Sequence, residues 1–293
     1  MRKIAEYALS SRRRAILLAL LFAVIPFFGW LAIALMALVT LRKGMAEGFI
    51  VLAWISLPSL VLALNGQSAS ILYDIVLGVL IVWVLAGVLR QTASWTFTIQ
   101  VTVLMGMVIV LVAHGAIHHL DQRWATEINQ YMQQINRALA LKLTDQEILE
   151  GSAKMAQFAT GVQVVILLIG NLTNLVFARW VQASLYNPSG LRKELYNIRL
   201  DFKTAFILLV TFVLMWIDIH LAKDCVPVVL LPFSLAGLSL VHSLLAKTKY
   251  DWSGLLIFYG LLILFFPYIM LLLIVATLAD IRWDFRARVQ YSV

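Results

Sequence analysis

Long apolar runs separated by short polar breaks dominate the chain. Seven of them, residues 47–64, 71–89, 95–113, 158–178, 204–221, 226–246 and 254–278, approach the ~20 residues that a helix needs to cross a ~30 Å hydrocarbon core. Barrel strands would alternate in polarity over ~10 residues, and these runs do not, so helices are predicted throughout. An eighth stretch, residues 15–41, is 27 positions long and carries Pro26-Phe27-Phe28-Gly29 near its middle. Proline removes a backbone donor there and glycine loosens the next turn, so a straight helix is interrupted. A single kinked crossing and a tight pair of half-helices both fit that length.

Two polar segments break the pattern. In residues 114–157, Trp124, Ile128, Tyr131, Ile135 and Leu139 recur at steps of four, three, four and four, the stripe of an amphipathic helix. Thr144-Asp145-Gln146-Glu147 then has the form of a capping box, opening a second helix that continues into the next apolar run. The pair either lies over the outer face of a helical bundle or forms a lid over a cavity. Residues 179–203 are basic, and Tyr186-Asn187-Pro188-Ser189-Gly190 in their middle is a turn signal.

Charge assigns the sides. If residues 15–41 go in and return, 15 Lys/Arg face the cytoplasm and 8 face outward; one crossing with an inside N-terminus gives 13 and 10. The positive-inside rule favours the broken hairpin, which makes 114–157 an extracytoplasmic helical insertion and 179–203 a basic cytoplasmic loop. Residues 1–25 also have the layout of a signal peptide, but the apolar run continues to Leu41, so the segment is read as retained. With no internal repeat and no linker, the expected fold is all-α: one polytopic integral membrane helical bundle over residues 1–293, with about eight membrane segments and an amphipathic extramembrane segment.

Composition narrows the function classes. The chain is 62% hydrophobic and 13% charged, with a mean hydropathy of +0.91; soluble domains run near ~45–50% and ~25%. The net charge of +8 marks cytoplasmic loops rather than a nucleic-acid surface. One cysteine, Cys225, excludes an intrachain disulfide and any cysteine-rich metal site. There is no phosphate-binding glycine loop, nucleophile elbow or His-Glu-x-x-His, so no enzyme activity, no cofactor and no self-energised pumping are expected.

The candidate chemistry is sparse. His114 and His118 are four apart and Asp121 three further on; if the helix runs through Asp121, all three share one face. Imidazoles and a carboxylate so placed suit zinc, nickel or cobalt, and ordinary interfacial polarity is the competing account. On the predicted topology Asp74, Asp218, His220 and Asp224 gather at the same membrane depth, with His220 a further metal ligand. Asp218 and Asp74, near the ends of apolar runs, and Asn171 and Asn174, three apart within one, are the candidate solute-binding groups. The amides equally serve as interhelical glue. Arg179, Arg192, Lys193, Arg199 and Lys203 form a candidate docking surface, either for anionic lipid headgroups or for a cytoplasmic or membrane protein partner.

The run Ala178-Arg179-Trp180-Val181-Gln182-Ala183-Ser184-Leu185-Tyr186-Asn187-Pro188-Ser189-Gly190-Leu191-Arg192-Lys193-Glu194, with Ile198-Arg199-Leu200, resembles the YybS-like family of bacterial predicted membrane proteins. So does Leu38-Val39-Thr40-Leu41-Arg42-Lys43-Gly44 with Glu47-Gly48, and the resemblance covers nearly the whole chain. The family is a domain of unknown function, remotely similar to the substrate-binding components of energy-coupling-factor transporters, which have six helices. The resemblance implies a small-solute binding or transport component of a bacterial inner membrane. The alternative is a non-catalytic scaffold that recruits partners through its basic loop.

Overall fold

The computed structural model describes residues 2–65, 69–248 and 251–288; the side chains of residues 63, 69–76 and 251 also lie outside the described set. Fourteen helices and no strand are formed among the described residues: α1 Arg2–Ser10, α2 Arg12–Val24, α3 Gly29–Lys43, α4 Met45–Leu64, α5 Ala69–Thr92, α6 Trp95–Ala116, α7 Leu120–Leu139, α8 Asp145–Tyr186, α9 Gly190–Tyr196, α10 Phe202–Trp216, α11 His220–Leu245, α12 Asp251–Leu264, α13 Phe266–Trp283 and α14 Phe285–Arg288. Five of them, α4, α6, α8, α11 and α13, are long and apolar enough to cross a membrane. Residues 77–92 and helices α10 and α12 are apolar but shorter.

The polar and proline signals act where they were read. Pro26 and Phe27 form the centre of a turn closed by the Phe28 amide on the Ile25 carbonyl at 3.2 Å, with Phe27 at φ +66°. α2 and α3 pack on each other as a pair of half-length helices. The capping box is formed: the Thr144 amide donates to Glu147 Oε2 at 2.8 Å, and the Glu147 amide donates to Thr144 Oγ1 at 3.2 Å. α8 then continues for 42 residues, twice what one crossing requires.

Four expected segments change. The run 204–221 stops being helical at Trp216, because Asp218 adopts φ +65° and turns the chain into α11, which starts six residues before the expected 226. The run 254–278 is divided into α12 and α13 at Phe265, where Pro267 in the first turn of α13 leaves no helical donor for the turn before it. Residues 179–203 are largely helical, since α8 extends to Tyr186 and α9 follows the turn at 187–189. The chain divides into two compact units, residues 1–102 with 167–198, and residues 103–166 with 199–293.

In the first unit α3, α4 and α5 pack together around Met36, Val39, Val51, Ile81, Val82 and Leu85, all fully buried. Close approach of α3 and α4 depends on Gly48, where an added Cβ would lie 1.9 Å from Thr40 Oγ1. Arg90 caps α3: its guanidinium donates to the carbonyls of Thr40 at 3.3 Å and Leu41 at 3.1 Å, beside the Gly44 amide that also donates to the Thr40 carbonyl at 3.0 Å. In the second unit α11 is the central element, packed against α10, α12 and α13 with Phe233 and Val228 wholly buried. Gly237 allows α13 to approach, and Thr277 Oγ1 lies 2.9 Å from the Phe233 carbonyl oxygen. Phe202, Phe206, Leu209 and Val213 of α10 are exposed, an arrangement suited to a lipid-facing helix.

Gly48→Ala should destabilise the first unit by about 1–3 kcal/mol through overpacking. Thr40→Ala in the same chain should recover part of that loss, because it removes the Oγ1 clash but keeps the Thr40 Cβ, 2.9 Å from the added carbon. The check is a double-mutant cycle on thermal unfolding in detergent; simple additivity would show that the two positions are not in contact.

Candidate metal centre

α6 ends at Ala116, and residues 117–119 turn the chain into α7 with His119 in the left-handed region at φ +57°. The helix therefore does not run through Asp121. The turn still returns Asp121, in the first turn of α7, to the neighbourhood of His114. One ligand atom each from His114, Asp121 and Asp224 lie within 4.8 Å of one another.

Asp224, in the second turn of α11, is the anchor of this cluster. Its side chain is 1% exposed and that of His114 is 21% exposed. His114 Nε2 lies 2.6 Å from Asp224 Oδ2. Against an ionised carboxylate, the ring nitrogen is the donor. The second carboxylate oxygen, Oδ1, accepts from the Gly161 backbone amide at 2.9 Å. That bond needs backbone against backbone: a Cβ at Gly161 would sit 1.9 Å from the Asp224 carbonyl oxygen. Next to it, Trp124 Nε1 donates to Thr160 Oγ1 at 3.1 Å and ties the start of α7 to α8.

Of the expected metal ligands, His114 and Asp121 are brought together, while His118 and His220 are exposed and outside the cluster. Asp224 enters instead, and Gly161 is the residue that the sequence reading missed. Its only signal was a lone glycine near the start of the apolar run 158–178. The side chain of Asp74 lies outside the described residues. Asp218 is 74% exposed and pairs with Lys223 at 2.5 Å, whose hydrogen bond and charge hold its carboxyl below the usual aspartate range. Lys223 also donates to Gln157 Oε1 at 3.0 Å. Asn171 is buried with no hydrogen-bond partner at Nδ2 among the described residues, and Asn174 is half-buried. Asn171 and Asn174 belong to the first unit and Asp218 to the second.

The basic run is partly committed within the chain. Arg179 pairs with Glu194, its Nε donating at 3.1 Å, and Trp95 Nε1 donates to the same carboxylate at 3.1 Å. Arg199 Nη1 donates to Asp284 at 2.8 Å, and its Nε lies 3.8 Å from the buried Asp280. Arg192 stacks on Tyr196, with its guanidinium carbon 5.3 Å from the ring centroid. Lys193 and Lys203 are exposed.

His114→Ala should leave Asp224 Oδ2 buried without this partner and cost about 3 kcal/mol. The double variant His114→Ala, Asp224→Ala should be less destabilised than the sum of its parts, because the orphaned carboxylate is removed as well. Denaturant unfolding in detergent measures both, and additive losses would mean that the pair is not coupled. Compared with protein-family models, curated proteins and solved structures, the chain has no match in any of the three.

Proposed function

We propose that this chain is a small-solute binding or transport component of a bacterial inner membrane, one that is not self-energised and not an enzyme. The observation that carries the reading is Asp224, a buried carboxylate on an apolar helix of membrane-crossing length, paired with His114 at the end of another. An ionisable group so placed is costly to desolvate, and such groups in membrane segments mark solute and ion paths. The resemblance to the YybS-like family belongs to the same proposal. The scaffold alternative has less behind it, because Arg179 and Arg199 already engage carboxylates of the chain itself.

Two experiments test the reading. Native mass spectrometry of the purified full chain should show a retained non-lipid solute that Asp224→Asn loses; equal spectra, with no retained solute in either, would remove the support for solute binding. Orientation follows from the charge count, with residues 114–157 outside and 179–203 inside. After Cys225→Ser, a cysteine placed at the exposed Gln134 should react with an impermeant thiol reagent in intact cells. One placed at the exposed Ser189 should not. The reverse pattern would overturn the orientation.

A further inference from the structure

We infer that His114, Asp121 and Asp224 form a binding site for one divalent first-row transition metal ion; this rests on the solute-binding reading and names the solute class. The donor set selects the class. One imidazole nitrogen and two carboxylate oxygens suit zinc and its neighbours, whereas calcium takes six to eight oxygens and magnesium keeps most of its waters. Three protein ligands with an open fourth position is also the arrangement of an exchangeable rather than a sealed zinc site.

The distances are those of a site ready to take an ion. Ligand atoms bonded tetrahedrally at ~2.0–2.2 Å lie about 3.4 Å apart. His114 Nε2 and Asp224 Oδ2 are 2.6 Å apart, and the whole set lies within 4.8 Å. An entering ion replaces the His114–Asp224 hydrogen bond, parts the two groups by less than about 1 Å and draws Asp121 inward. The proton on Nε2 leaves to solvent as the nitrogen lone pair binds metal.

The surroundings hold two of the ligands and leave the third adjustable. Asp224 is oriented by the Gly161 amide at Oδ1, so Oδ2 faces the cluster. Outer hydrogen bonds of this kind fix ligand geometry in metal sites. Asp121 sits on α7, none of whose residues is buried, and α7 is tied beside the site through Trp124 and Thr160. The position of α7 thus decides whether the third ligand is in place.

The test uses the full chain in detergent, free of any affinity tag and stripped of metal. Zn²⁺ is titrated against a chromophoric chelator, and Co²⁺ is added to read ligand-field absorption. One Zn²⁺ per chain is expected. His114→Ala and Asp224→Asn should weaken binding at least 100-fold, and Asp121→Asn at least tenfold. His118→Ala and His220→Ala should bind as the parent does. The Co²⁺ spectrum of Asp121→Asn should lose intensity as the site opens to water. If Asp224→Asn fails to fold, Asp121→Asn, at a half-exposed position, carries the test. Absence of stoichiometric binding would overturn the inference, as would a loss in His118→Ala or His220→Ala equal to that in His114→Ala. Proteoliposome flux separates the two levels. Zn²⁺ bound at these residues without flux keeps the site and defeats the transport reading. A retained non-metal solute lost in Asp224→Asn, in a chain that binds no Zn²⁺, keeps the reading and overturns the metal.

Discussion

The desolvation of one carboxylate constrains the second unit more than any other single interaction. Asp224 is buried one residue after Lys223, where α11 passes into a long apolar run, and an isolated charge there would cost several kcal/mol. Two groups offset that cost, the Gly161 amide and the His114 ring, and each makes a geometric demand. The amide is reachable only because position 161 has no side chain to meet the α11 backbone. The ring is supplied by the last turn of α6, which brings His114 Nε2 to 2.6 Å from Asp224 Oδ2. The carboxylate therefore ties together parts of three helices that apolar packing alone would leave free to slide.

The same rule governs the charges at the helix ends. Asp280 is buried near Arg199 and Arg286, and burial, helped by the charge of Arg199 and opposed by that of Asp280, holds the Arg286 guanidinium below its usual range. Glu194 receives both Arg179 and Trp95. Arg90 closes the end of α3. Basic residues that look like a docking surface when counted along the chain are thus partly structural. Their partners lie 15 residues away for Arg179 and more than 80 away for Arg199, so only the folded chain shows the pairing.

Local signals were legible in the sequence and distant ones were not. The Thr144–Glu147 capping box, the break at Pro26 and the start of each apolar helix through residue 113 are decided within a few residues, where propensity and hydrogen-bond chemistry act directly. The end of α10 was misplaced because Ile217 and Ile219 continue the apolar run around Asp218, and hydropathy does not register a left-handed residue. The division at Phe265 went unread because residues 254–278 are apolar almost throughout, and hydropathy does not register the helix break before Pro267. At the site, spacing placed His114 and Asp121 on one continuous helix. They do come together, but through a turn, which also carries His118 and His119 out to the surface. Asp224 was visible as an acidic residue near a helix end, and its burial was not, since that depends on Gly161, 63 residues earlier.

The amphipathic helix α7 links these observations. An amphipathic stripe predicts a face that packs, yet Tyr131, Ile135 and Leu139 remain exposed while Trp124 is drawn toward α8. The helix is thus held at its first turns and open along its later ones. Segments with few buried contacts have low local opening free energies, and here such a segment carries Asp121. His114 and Asp224 are held by a buried hydrogen bond and by a backbone contact that no side chain can share. The site accordingly combines two groups fixed on the long apolar helices α6 and α11 with one whose presence depends on an exposed helix. Gathering all three around one ligand orders α7 at a cost in conformational entropy, and movement of α7 changes the affinity for that ligand by the same coupling.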